Sequence, residues 1–231
     1  MRILGLSGSL RRGSHNLALL RAAGAQLPPN VELEAWRGLA DLPAYDEDLD
    51  AAGAPVAVAS LRLAISRADA VLIATPEYNS SIPGAIKNAV DWASRPWPEN
   101  SLRGKSVSVI GASTGLFGAV WAQAELRKVL TTIGANVIDQ ALAVGLAHEA
   151  FDEHGQLRDP DLRHRLAEIV ARLLEQASTS PGRPQPRLDE DPRTREMTMI
   201  PLGCSPMPSL GGVTTGSAVA SYRPGLSRSR S

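Results

Sequence analysis

The chain has 231 residues, with 24 basic and 24 acidic side chains and a formal net charge of zero. That length supports one domain with a sizeable core and a surplus, and the balanced charge, without a basic stripe, points to no nucleic-acid partner. The longest apolar runs are strand-sized, too short to cross a bilayer, and the single cysteine, Cys204, excludes an internal disulfide, an iron–sulfur cluster and a Cys-x-x-Cys redox centre.

Arg2–Leu6 reads as a strand, and the apolar spacing Leu17, Leu20, Ala23, Leu27 predicts a first helix over Leu17–Gln26. Between them runs Gly5-Leu-Ser-Gly-Ser-Leu-Arg-Arg-Gly-Ser-His-Asn16. A strand, a loop of glycine and hydroxyl residues, then a helix start is the architecture of a phosphate cradle. Free N–H groups at the helix start point at the anion, and the helix dipole favours its charge. Ser7, Ser9 and Ser14 can donate from their hydroxyls, and Arg11 adds a planar cationic fork. His15 lies in the same loop and joins the candidate contacts, although an exposed loop histidine is the plainer reading. The loop lacks the Gly-Lys-Ser/Thr ending of a triphosphate site and the Gly-x-Gly-x-x-Gly spacing of a dinucleotide site. Hydroxyls and one arginine suit a terminal monophosphate, such as that of flavin mononucleotide (FMN). The alternative is a turn in which Ser14 caps the helix and nothing binds.

Val31–Trp36 alternates apolar and charged residues, as an edge strand does. The acidic segment Asp41–Asp50 lacks the glycine and terminal glutamate of a calcium loop, so it reads as a solvated loop, with a lid over the site as one role. A second helix follows over Pro55–Arg67. Ala70–Ala74 is a continuous apolar run, the signature of a central parallel strand. It ends in Thr75-Pro-Glu-Tyr-Asn-Ser-Ser-Ile-Pro-Gly84, at the strand terminus where ligands of open α/β sheets bind. Pro76 stiffens this loop, Tyr78 offers a face to a flat ring, and Asn79 can bond a ring edge. Glu77 joins them as a contact rather than as an acid or base. An ordinary β–α loop is the competing reading.

Pro83–Ala93 reads as a third helix and Ser106–Gly111 as a fourth strand. Its small-residue loop, including Ser113 and Gly115, would let a flat ligand approach the backbone, and a tight turn before the next helix is the competing reading. A fourth helix over Phe117–Ile133, a fifth strand over Ala135–Gln140 and a last helix over Asp161–Gln176 complete the rhythm. Five strands alternating with helices predict an α/β, flavodoxin-like, doubly wound parallel sheet of order 2-1-3-4-5. The four histidines show no metal-ligand spacing, so redox chemistry must come from an organic cofactor.

After Gln176 the composition changes. Residues 177–231 hold 8 of the 17 prolines and little apolar bulk, which predicts a disordered Pro/Ser/Arg-rich tail beyond a domain spanning residues 1–176. A chain that enters a strand directly leaves no room for a signal peptide, and a cytoplasmic location is expected.

Gly8-Ser-Leu-Arg-x-x-Ser-x-Asn16, Pro76-Glu-Tyr-Asn79, Pro83-Gly84, Lys87-Asn88 and Asp91-Trp92 together resemble the NADPH-dependent FMN reductase family, over roughly Arg2 to Gln176. The resemblance implies a flavodoxin-like reductase that binds FMN and passes electrons from NADPH or NADH to a small-molecule acceptor, a quinone, flavin, azo compound or metal oxyanion. It implies that Arg11, Ser14 and Asn16 hold the phosphate, with Ser9 and Leu17 beside it. Pro76, Glu77, Tyr78 and Asn79 would line the isoalloxazine, and Ser113 would close the far side. Ser80 departs from the aromatic residue of chromate-reducing relatives. A homodimer or homotetramer is implied, and Trp92, Trp97 and Trp121 read as exposed-looking bulk for it, with the covering of the sheet as the alternative. The alternatives are a flavodoxin-type electron carrier, which commonly has a Thr-rich phosphate loop and an acidic surface, and a flavin-binding module without NAD(P)H oxidation.

Overall fold

The computed structural model describes residues 1–179 and 199–201. The strands are β1 (Arg2–Ser7), β2 (Glu32–Trp36), β3 (Ala70–Thr75), β4 (Ser106–Ala112), β5 (Asn136–Val137), β6 (Ala143–Val144) and β7 (Met199–Pro201). The helices are α1 (His15–Gly24), α2 (Glu47–Ala51), α3 (Val56–Arg67), α4 (Gly84–Ala93), α5 (Val120–Thr132) and α6 (Pro160–Thr179). The sheet carries the order 2-1-3-4-5 in parallel pairs, and β7 adds an antiparallel edge strand to β2.

Period-two alternation divides the core. Leu4, Leu6, Val71, Ile73, Val107 and Val109 face one layer, packed with Leu61, Ile65, Ile86, Trp92, Leu126 and Leu130 of α3, α4 and α5. Ile3, Leu72, Ala74 and Ile110 face the other, under Leu19 and Leu20 of α1 and Leu166 and Leu173 of α6. β3 and β4 are buried at every position, as strands covered on both faces must be. The three ligand-compatible loops therefore leave one edge of a rigid platform.

Four expectations need correction. The fifth strand is split: β5 pairs with Ser106 and Val107, and β6 with Gly111 and Ala112. Ile138 and Leu142 are buried, whereas the Asp139 side chain is fully exposed, so the chain bows outward between them. The ladder resumes where Gly111 N donates to Leu142 O at 2.9 Å.

Trp92 is not exposed bulk but fully buried. Its indole N–H donates to Pro43 O at 2.8 Å, and the Tyr45 ring meets it edge-on at 5.0 Å. A buried aromatic of this size is worth about 2–3 kcal/mol or more in apolar transfer. Trp97 and Trp121 are exposed, as expected.

The acidic segment is not a plain loop. It forms a 3-10 turn over Gly38–Asp41 and then α2, capped by Asp46. Pro43 O also accepts from Asn88 Nδ2, Asn88 Oδ1 accepts from Tyr45 N, and Asp50 pairs bidentately with Arg62. These contacts pin the segment to α3 and α4.

Within the segment expected to be a disordered tail, α6 continues to Thr179 and residues 199–201 form β7. The rest of that expectation lies outside the described residues.

Candidate functional site

Loop one runs from Gly8 to Ser14. Gly8 N donates to Ala74 O at 2.8 Å, and a Cβ on Gly8 would stand 2.6 Å from Ile86 Cγ1 and 2.8 Å from Pro76 Cδ. Only glycine lets loop one close so tightly on the loop after β3. Ser14 is the N-cap of α1: its Oγ accepts from Leu17 N at 3.1 Å and lies 3.3 Å from Ser7 Oγ. The capping role is thus realised, and the Ser7 and Ser14 hydroxyls share one hydrogen bond in which either can donate. Arg11 is exposed and has no ion-pair partner among the described residues. Ser9 and Leu17 are half-buried beside it, and α1 has no acid in its first turn.

Asn16, expected at the phosphate, is held from the opposite side of the cradle. It is buried, its Nδ2 donates to Ala112 O, and its Oδ1 accepts from Ala112 N, both at 2.9 Å. This two-way bond ties the start of α1 to the end of β4. Asn16 therefore positions the cradle and leads directly into Ser113.

Loop two is fixed at both ends. Glu77 Oε2 accepts from Trp121 N at 2.9 Å and Ala122 N at 3.0 Å, which caps α5. Reciprocally, Glu125 Oε2 accepts from Ser81 Oγ at 2.7 Å and Ile82 N at 3.3 Å. Between these braces, Asn79 and Ser80 both take positive φ, 52° and 59°, in a tight turn closed by Tyr78 and Ser81. That turn leaves Tyr78 54% exposed at the open edge. Pro76 is buried beneath it.

Loop three packs against the segment after β6. Ser113 Oγ accepts from Gly115 N at 3.2 Å, Ser113 N donates to Val144 O, and Ala147 N donates to Ser113 O. A Cβ on Gly145 would lie 2.2 Å from Leu116 O, so backbone meets backbone there. Gly118 takes φ +58°, which starts α5 later than the sequence suggests. The contribution of residues 143–151 escaped the sequence reading, because their short strand carries only two residues.

His15 opens α1, and its ring lies parallel to Phe151 with centroids 6.4 Å apart. Burial, then the charge of Arg11, then His148 hold its imidazole below the ordinary histidine range. A guanidinium with no ion pair among the described residues, hydroxyls and an acid-free helix start form the donor set of a monophosphate site, so these residues fit the phosphate of FMN.

A model of the NADPH-dependent FMN reductase family matches residues 1–149. The chain belongs to the NADPH-dependent FMN reductase family. It is 42% identical over 174 residues to the NAD(P)H-dependent FMN reductase of Pseudomonas aeruginosa, covering 75% of this chain and 93% of that protein. It is 39% identical over 175 residues to a quinone reductase of Escherichia coli, covering 74% and 93%. The structure of FerB, a flavoenzyme NAD(P)H:(acceptor) oxidoreductase from Paracoccus denitrificans, superposes with a TM-score of 0.70 at 36% identity, covering 78% and 98%. Family membership makes the chain an oxidoreductase that uses FMN with NAD(P)H, and the flavodoxin-like architecture agrees.

Proposed function

We propose that this reductase accepts reducing equivalents from NAD(P)H and delivers two electrons to a flat quinone-class acceptor. The observation that carries the reading is the bracing of three loops at one sheet edge: Gly8 against Pro76, Asn16 onto Ala112, and Glu77 onto α5. Such bracing fixes a planar cofactor without spending the exposed Tyr78 face or the Arg11 charge.

Arg11, Ser9, Ser14 and the free amides of the α1 start would hold the phosphate. Asn16 would hold the cradle in place. Pro76, Tyr78, Asn79 and Ser113 would border the ring, with Glu77 fixing their loop and Gly115 allowing close approach. When bound, FMN supplies the hydride chemistry, shuttling between its oxidised and reduced forms. The chain needs no general acid or base for that transfer. Its residues orient the ring and leave one face for nicotinamide and acceptor in turn.

The exposed Leu116, Phe117 and Trp121, the last two with rings 5.1 Å apart, support a homodimer or homotetramer built on this edge. No helix among the described residues is long and apolar enough to cross a membrane. A supply of NAD(P)H favours a cytoplasmic setting.

Steady-state oxidation of NADPH and NADH against benzoquinone tests the reading. Parallel double-reciprocal lines are expected from alternate use of one face. FMN binding without NAD(P)H oxidation would mark an electron carrier instead.

A further inference from the structure

One helix holds loop two from both sides. Ahead of the turn, Glu77 Oε2 accepts from Trp121 N and Ala122 N at the start of α5. Behind it, Glu125 Oε2 accepts from Ser81 Oγ at 2.7 Å and from Ile82 N at 3.3 Å. Glu125 lies one helical turn beyond Trp121 on α5, so both ends of Tyr78-Asn79-Ser80-Ser81 are tied to the same short stretch of helix.

The turn between these anchors is not one that its own residues favour. Asn79 and Ser80 take φ of 52° and 59°. Positive φ at both central residues marks a type I′ turn, for which Asn-Gly is a preferred pair. Asn79 suits the first position, but Ser80 stands where glycine is favoured, and its Cβ makes the left-handed conformation costly. The closing bonds within the turn are of ordinary to long length: Ser81 N donates to Tyr78 O at 3.1 Å and Tyr78 N to Ser81 O at 3.3 Å. A strained turn persists only where its surroundings over-determine it. Glu125 supplies that restraint on the far side, because it grips the residue that closes the turn and the residue after it.

We propose that Glu125 is a positioning residue for the acceptor: through Ser81 and Ile82 it holds the turn at Ser80 in its left-handed form, and so fixes the stance of the exposed Tyr78 ring at the open edge. The inference rests on the proposed reduction of a flat acceptor at that edge. Glu125 acts at one remove, and its side chain is exposed, so shortening it opens no cavity in the core.

Steady-state kinetics with NADPH and benzoquinone, joined to amide hydrogen exchange, test the role. Glu125→Ala should raise KM for benzoquinone roughly tenfold, while kcat and the Kd for FMN stay within about twofold. Ser81→Ala should reproduce much of that rise, and the two changes together should add little, since both remove the same bond. Glu125→Gln keeps a carbonyl acceptor and should restore most of the wild-type KM. The deciding variant is Glu125→Ala/Ser80→Gly. Glycine after Asn79 lets the turn form without the brace, so KM should return towards the wild-type value. In step with KM, the Ser81 amide should exchange faster in Glu125→Ala and regain protection in the double variant. An unchanged KM in Glu125→Ala, or a raised KM that Ser80→Gly leaves in place, would overturn the positioning role and leave the quinone reading standing. Failure of the wild-type enzyme to reduce benzoquinone would overturn that reading and the role with it.

Discussion

The side chain of Asn16 and the backbone of Ala112, 96 residues apart in sequence, exchange two hydrogen bonds of 2.9 Å. The pair welds the phosphate loop to the strand end that launches loop three. Asn16→Ala would strand a buried N–H and a buried carbonyl at once, at a cost of about 2–4 kcal/mol. We expect a lowered Tm of the apoprotein together with weaker FMN binding, measured by calorimetry. An unchanged Tm would mean that water replaces the amide at no cost.

Arg11→Ala should behave in the opposite way. The side chain is exposed, with no ion pair to lose among the described residues. Its loss should weaken FMN binding roughly ten- to a hundred-fold, or about 1.5–3 kcal/mol for a charge-assisted contact. The Tm of the apoprotein should not move. Fluorescence titration of FMN checks the first expectation and calorimetry the second.

Glu77→Ala removes the acceptor for Trp121 N and Ala122 N at the start of α5. Loss of a helix cap costs about 1 kcal/mol. The loop that carries Tyr78 loses its anchor too, so KM for the acceptor should rise more than the Kd for FMN. Glu77→Gln keeps a carbonyl acceptor and should recover most of both. Equal defects in the two variants would assign the residue to its charge rather than its capping bond.

The pH dependence has a definite sign. His15 in the folded apoprotein titrates below its ordinary value of about 6.5. The unfolded chain therefore binds more protons near that pH, and stability falls as pH drops through the mid-6 range. Urea unfolding of the apoprotein at pH 5.5 and 7.5 should show a larger acid loss for wild type than for His15→Gln. A matching loss in the variant would assign the effect to other groups.

A chain ending at Thr179 keeps all three loops but loses β7 from the edge of β2. FMN content and NADPH turnover should be retained. A drop in kcat/KM would instead assign the residues beyond 179 to the site.

Much of this was legible locally. The apolar runs of β1, β3 and β4, and the glycine and hydroxyl residues after them, fix strands, order and loops because each signal lies within a dozen residues. Contacts across the chain were not legible. Nothing near Asn16 in sequence announces Ala112, and nothing near Trp92 announces Pro43, so the brace went unread and a core indole read as surface. The cap that Glu77 places on α5 was hidden because its partners begin a helix 44 residues later. The fifth strand misled for another reason: a single continuous pattern hides an outward bow that only the Val107 and Gly111 registers reveal.

The most direct test of the account is an anaerobic titration of the FMN-loaded protein, followed by flavin absorbance. One equivalent of NADPH or NADH per flavin should bleach the oxidised band, and one equivalent of benzoquinone should restore it. A flavin that stays oxidised in excess of both nucleotides, yet reduces readily with dithionite, would contradict the claim that this chain carries electrons from NAD(P)H to a quinone.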